Sequence, residues 1–154
     1  MFKKMIGLAS GNATEKKKKN EDVVLPMKTE LEACPLSKDE LGTATWGLMH
    51  TAAAYYPQNP TPDMQERARA FFGGLAHMYP CSYCKKDFEK EIAKEPPRVE
   101  SRLALSLWVC RQHNTVNAKL GKEQFECTLP NLDQRWKTGK KSCWGQEDER
   151  ADLA

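Results

Sequence analysis

Helix punctuation constrains this chain more tightly than any other feature of its sequence. Ser37-Lys38-Asp39-Glu40 is a capping box, in which the Ser37 hydroxyl and the Glu40 carboxylate satisfy each other's backbone amides. The helix it opens runs to about Tyr56, where Pro57, with no amide hydrogen to give, stops it. Thr61-Pro62-Asp63 opens a second, with threonine as cap and proline at the first helical position, continuing to about Met78. A third follows Tyr79-Pro80 and ends before Glu95-Pro96-Pro97. A fourth runs from about Glu100 to Leu120, with Gly121 as its C-terminal cap. A short fifth includes Leu132, Arg135 and Trp136. No segment alternates as a strand does, and there is no internal repeat. The expected fold is therefore all-α, a four-helix bundle plus a short fifth helix.

Trp46, Met49, His50 and Ala53 line one face of the first helix, and Leu41 and Leu48 widen it on the Met49 side. In the second helix Gly73-Gly74 lowers helix propensity, or else admits another backbone closely. Residues 1–33 are low in apolar content and carry the run Lys16 to Lys19, so they read as a flexible leader. Residues 145–154 read as an acidic tail, leaving residues 34–144 as one folded domain. Much of the formal net charge of +3 comes from the lysine run, so no nucleic-acid surface is implied. No apolar run approaches the roughly 20 residues that span a bilayer. The basic start has too short an apolar core for a secretory signal.

The six cysteines, Cys34, Cys81, Cys84, Cys110, Cys127 and Cys143, form an even set. Such a set points to disulfides in an oxidising compartment, or to a zinc site in a reduced one. Cys81-Ser82-Tyr83-Cys84 falls in the first turn of the third helix. Cysteines three apart there share a face, at a spacing that suits a disulfide. The helix's positive end, with Lys85 and Lys86, favours a thiolate. A thioredoxin-like site needs a βαβ pattern, which is not visible. A structural zinc site usually has a second close ligand pair, whereas Cys110 and Cys127 lie far apart. No metal is expected.

On the fourth helix Cys110, His113, Asn114 and Asn117 form one stripe at spacings of three and four. Alone, His113 reads as a solvated residue, His50 as a satisfied core histidine, and Trp46 and Trp136 as core. Together, and with Lys119, Lys122 and Arg135, they suit a flat aromatic ligand carrying phosphates.

Taken with their order along the chain, these motifs resemble the Erv/ALR family of FAD-dependent sulfhydryl oxidases. The resemblance covers residues 34–143. Its first helix is matched by Cys34-Pro35-Leu36, Glu40-Leu41-Gly42, Trp46, His50-Thr51 and Tyr55-Tyr56-Pro57. Its active site is matched by Tyr79-Pro80-Cys81-Ser82-Tyr83-Cys84 with Asp87, and its flavin-binding helix by the run from Trp108 to Lys122. The resemblance implies FAD held at one end of the bundle by Trp46, His50, Asp87, Cys110, His113, Asn114, Asn117, Lys122, Arg135 and Trp136. His113 and Trp136 would lie near the adenine, and Lys122 and Arg135 near phosphate or ribose. Cys81 and Cys84 would be the catalytic pair. Cys81 takes the substrate thiolate and Cys84 faces the flavin, which passes electrons to oxygen or another acceptor such as cytochrome c. The resemblance further implies a structural Cys110–Cys127 bridge and Cys34 and Cys143 linking the protomers of a homodimer. The mitochondrial intermembrane space fits such a protein, with the cytosol or another oxidising compartment as alternatives.

Many mitochondrial members carry a further cysteine pair on a flexible arm, and neither residues 1–33 nor residues 144–154 hold a cysteine. A form without a shuttle, a shortened chain, and a member oxidising its partners directly all remain open. Two rival classes are a zinc-stabilised helical interaction module and a disulfide-stapled signalling protein. His77 matches no motif and reads as a surface residue.

Overall fold

A computed structural model describes residues 34–143, so the leader, Trp144 and the acidic tail lie outside the described residues. The described elements are helices, with no strand among them. Helix α1 spans Lys38–Ala54, α2 Pro62–Met78, α3 Ser82–Lys94, α4 Arg102–Lys119 and α5 Leu129–Asp133. A π turn, Gln134–Thr138, continues α5, and a 3-10 turn follows at Lys141–Cys143.

Each helix starts where a side chain can take an orphan amide. The Ser37 hydroxyl accepts from Glu40 N–H at 3.3 Å and Glu40 accepts from Ser37 N–H at 2.8 Å, completing the capping box. Thr61 accepts from Met64 N–H at 3.2 Å. Ser101 accepts from Ala104 N–H at 3.2 Å, which moves the start of α4 from the expected Glu100 to Arg102. At the other end of α4, Gly121 has φ 65° and Lys122 N–H reaches back to the Asn117 carbonyl at 2.9 Å, a Schellman closure.

Helix α1 packs on α4 and on the π turn, α2 packs on α3, and α5 packs on α4. The core is Met49, Ala53, Tyr56, Phe72, Val99, Leu105, Trp108 and Val109, with Trp46, Leu75, Phe88 and Ile92 against it. Trp108 is fully buried, meets Phe72 edge-on at 5.1 Å, and donates its indole N–H to the Glu95 carbonyl at 2.9 Å. The Tyr56 hydroxyl donates to the Val99 carbonyl at 3.1 Å, anchoring the loop between α3 and α4. Arg102 donates twice to the Asp133 carboxylate, at 2.7 and 3.1 Å, and to the Ala54 carbonyl at 3.3 Å. One guanidinium thus joins the end of α1, the start of α4 and the end of α5.

Five expectations are corrected. Helix α1 stops at Ala54 instead of Tyr56, because Tyr56 N–H turns back to the Ala53 carbonyl in a tighter loop. Leu48 is 55% exposed and does not widen the buried face, since it projects away from α4 and the π turn. A Cβ added to Gly73 or Gly74 meets nothing within 4 Å, so among the described residues no backbone approaches there. Cys81 is the N-cap of α3, one residue ahead of its first turn. Arg135 and Trp136 belong to the π turn and not to the fifth helix.

Candidate active site

The structure joins Cys81 to Cys84 in a disulfide whose Cα atoms are 5.2 Å apart. Both residues are half-buried. Pro80 ends the preceding extended segment, and Cys81 takes the capping position that serine or threonine fills elsewhere. Its Sγ accepts from the Cys84 amide at 3.3 Å. A negative charge developing on this sulfur therefore meets a backbone donor at the positive end of α3. The first turn of that helix holds no acidic residue.

Cys84, Asp87, Phe88 and Glu91 follow one another along α3 at helical spacing and so share a face. The Phe88 ring lies 6.5 Å from that of Trp46, while Asp87 and Glu91 accept from the Lys119 ammonium of α4 at 2.6 and 3.1 Å. This face turns the cysteine pair toward α1 and α4.

There, residues from three elements build two ring stacks. Trp46 of α1 and His113 of α4 lie 4.2 Å apart with planes within 4°. His50 of α1 and Trp136 of the π turn lie 4.5 Å apart with planes within 3°. The Arg135 guanidinium covers the same Trp136 ring at 4.4 Å. The two stacks meet at His50 Nε2 and His113 Nδ1, 3.0 Å apart, where one nitrogen donates and the other accepts according to tautomer. That bond requires at least one neutral ring. Burial, then the neighbouring His113 and Arg135 charges, push the His50 pKa down to about 3. Burial and the Lys122 charge push His113 down to about 4. Both imidazoles are therefore neutral at physiological pH.

The remaining expected site residues are placed as follows. Cys110 is buried and joined to Cys127, with Cα atoms 5.8 Å apart. Asn114 donates to the Phe125 carbonyl at 2.7 Å and accepts from Phe125 N–H at 2.9 Å, so its amide clamps the loop carrying Cys127. Asn117 is half-buried and its side-chain amide has no hydrogen bond among the described residues. Lys122 is exposed and acts on the site through its charge. Cys34 and Cys143 are exposed. His77 is exposed and its Nδ1 lies 2.9 Å from a Glu89 carboxylate oxygen. One residue was missed as a site element: Phe88, which bridges the cysteine helix to Trp46. Lys119, read from sequence as a phosphate partner, ties α3 to α4. Phe88 falls four residues after Cys84, a spacing that was available as a signal.

A small helical protein with a disulfide at a helix cap and neutral, ring-stacked histidines behind it defines a recognisable class. The Erv1 / Alr family matches residues 43–137, and the chain belongs to that family. It is 43% identical over 105 residues to the mitochondrial FAD-linked sulfhydryl oxidase ERV1 of Saccharomyces cerevisiae, covering 68% of this chain and 54% of that protein. Among solved structures it is similar to the yeast Erv1 core, with TM-score 0.69, 37% identity and coverage of 79% of this chain and 99% of that one. It is also similar to the FAD binding domain of Erv1 from Saccharomyces cerevisiae, with TM-score 0.65, 41% identity and coverage of 70% and 100%. The chain spans 54% to 63% of the length of the ERV1 proteins of yeast, rice and Arabidopsis that it matches.

Proposed function

We propose that the chain is an FAD-dependent sulfhydryl oxidase that forms disulfides in thiol substrates through Cys81 and Cys84. The observation that carries this reading is the Cys81–Cys84 disulfide at the cap of α3, on a face that meets Trp46 and Lys119. Relatives named FAD-linked sulfhydryl oxidase support it, as does the solved FAD binding domain.

The residues present fit FAD. Parallel rings of Trp46, His113, His50 and Trp136 suit a flat ring system, and neutral imidazoles can both donate and accept toward it. Lys122 and Arg135 have no carboxylate partner among the described residues, which leaves them for phosphates. The half-buried Asn117 amide has hydrogen-bonding capacity left. Asp87 would act with Lys119 beside the cysteines, while Cys110 and Asn114 would shape the site by holding the loop through Cys127 and Phe125.

A substrate thiolate attacks Cys81 Sγ, the disulfide breaks, and Cys84 leaves as a thiolate on the face toward Trp46. A second substrate thiolate attacks the mixed disulfide and expels Cys81, whose developing charge the Cys84 amide and the helix end receive. The oxidised substrate departs and the pair is left reduced. FAD, held by the residues named above, would supply the two-electron acceptor that returns the pair to the disulfide, with oxygen or another acceptor such as cytochrome c taking the electrons onward.

The oxidase domain is assigned to residues 34–144, outside the leader and the acidic tail. Exposed Leu48, Met64 and Phe71 on α1 and α2 support a homodimer, with Cys34 and Cys143 as interchain links across a twofold interface. The mitochondrial relatives from both yeasts support a mitochondrial protein, and we assign it to the intermembrane space.

The test is the visible spectrum of the purified protein before and after adding dithiothreitol. A flavin spectrum that bleaches and recovers in air is expected. Cys84→Ser should keep the colour and lose turnover. A colourless protein that cannot be reconstituted with FAD would refute the reading.

A further inference from the structure

The two most exposed large apolar side chains of the described residues lie close in sequence to the Cys81–Cys84 disulfide. Met78, the last residue of α2, is 81% exposed, and Tyr83, between the cysteines, is 79% exposed. Neither belongs to the hydrophobic core. Met78 is three residues before Cys81 and Tyr83 two after it, so both exposed side chains are near the sulfur that a substrate must approach.

The charges around them narrow what that occupant is. Each acidic residue of α3 is already engaged: Asp87 with Lys119, Glu89 with His77, and Glu91 with Lys94 and Lys119. Lys85, Lys86 and Lys90 have no ion-pair partner among the described residues. The rim is thus apolar at two points with uncompensated positive charge behind it, complementary to an anion such as a thiolate or a carboxylate.

We propose that Met78 and Tyr83 form a docking rim for a peptide segment whose reacting cysteine has an apolar neighbour and acidic flanks. The inference rests on the oxidase reading, because it takes Cys81 as the sulfur that meets the substrate. It separates two kinds of thiol. A small dithiol needs only access to Cys81, whereas a peptide gains affinity by burying its apolar neighbour between Met78 and Tyr83.

The test needs no flavin. Cys84→Ser is combined with Cys34→Ser and Cys143→Ser in the full chain, so that Cys81 alone reports, Cys110 and Cys127 being joined. Two peptides with aspartate flanks, one with phenylalanine and one with glycine beside its cysteine, are each supplied as the mixed disulfide with thionitrobenzoate. The Cys81 thiolate attacks the peptide sulfur, a Cys81–peptide disulfide forms, and yellow thionitrobenzoate leaves. The expected result is a trapping rate about tenfold higher for the phenylalanine peptide, falling to near parity when Met78→Ser and Tyr83→Ser are added. Replacing aspartate by lysine should slow trapping severalfold at low salt.

Equal rates for the two peptides on the unaltered rim would overturn the proposal, as would a preference that survives both serine substitutions. A second copy of the chain seated on the rim would instead shield Cys81, and rates for both peptides would fall as protein concentration rose; that too would overturn it. Failure of the oxidase reading shows separately, as a colourless protein in which the ratio of trapping rates can still be measured.

Discussion

Acidification from about pH 7 to pH 5 should destabilise this protein through two histidines and little else. In the folded chain His50 and His113 ionise near 3 and 4, held down first by burial. In the unfolded chain both ionise near about 6.5. A depressed histidine pKa means that the unfolded state binds the proton first, so stability is intact above about pH 6.5 and falls as pH drops below it. At pH 5 each unfolded histidine has gained roughly 2 kcal/mol that the folded one has not, giving about 3 kcal/mol for the pair after allowing a unit of error in each shift. The depressed carboxylates Glu40, Glu91 and Glu100 lose their contribution only as pH falls through their lowered values, below this window. Typical domains have about 5–15 kcal/mol in total, so the loss is a large fraction. Urea unfolding at pH 7, 6 and 5, followed by far-ultraviolet circular dichroism, reads it directly. His50→Gln with His113→Gln should flatten the profile. Stability constant to within about 1 kcal/mol across the range would refute the burial argument.

Asn114→Ala removes both bonds to the Phe125 backbone and should cost about 1–3 kcal/mol in a thermal or urea melt, whereas an exposed asparagine would cost almost nothing. Asp133→Ala strips Arg102 of its bidentate partner, with only 18% of the arginine side chain exposed. A loss of about 2 kcal/mol in the same melts is expected. Replacing Cys110 and Cys127 together by serine opens a link across 17 positions and should lower stability by about 3 kcal/mol in the non-reducing melt. An unchanged melting temperature would show that the bridge constrains nothing.

The helices were legible because their ends are written in side chains. Ser37 with Glu40, Thr61 with Pro62, and Gly121 each act within four residues, and local signals of that kind can be read without knowing the fold. The grouping of Trp46, His50, His113 and Trp136 was legible as a combination of residue types, but their pairing was not. Nothing along the chain says that Trp46 stacks on His113 and His50 on Trp136, since those partners are set by how α1, α4 and the π turn cross. Asn114 shows the same limit from the other side. Its place in the polar stripe marks it as a ligand group, and nothing along the chain says that its amide is also matched to the Phe125 backbone by a loop that closes only in three dimensions. Of the two readings of Gly73-Gly74, the close approach fails for a simpler reason: a glycine pair signals only permission, and among the described residues no element takes it up.

The π turn at Gln134–Thr138 has a consequence for how this site can change. Gly139 N–H reaches back five residues to the Gln134 carbonyl, so the turn holds one residue more than an α-helical turn would. That surplus residue sets the angle at which Trp136 returns over His50. Deleting a position ahead of Trp136, Gln134 or Arg135, would shorten the turn and rotate Trp136 by roughly 100° about the helix axis, off its partner. Substitutions at the turn's other positions adjust the site by degrees; loss of Trp136, or a single-codon deletion ahead of it, would dismantle half of the ring layering at once. Chain length here, more than residue identity, is what descent and design must preserve.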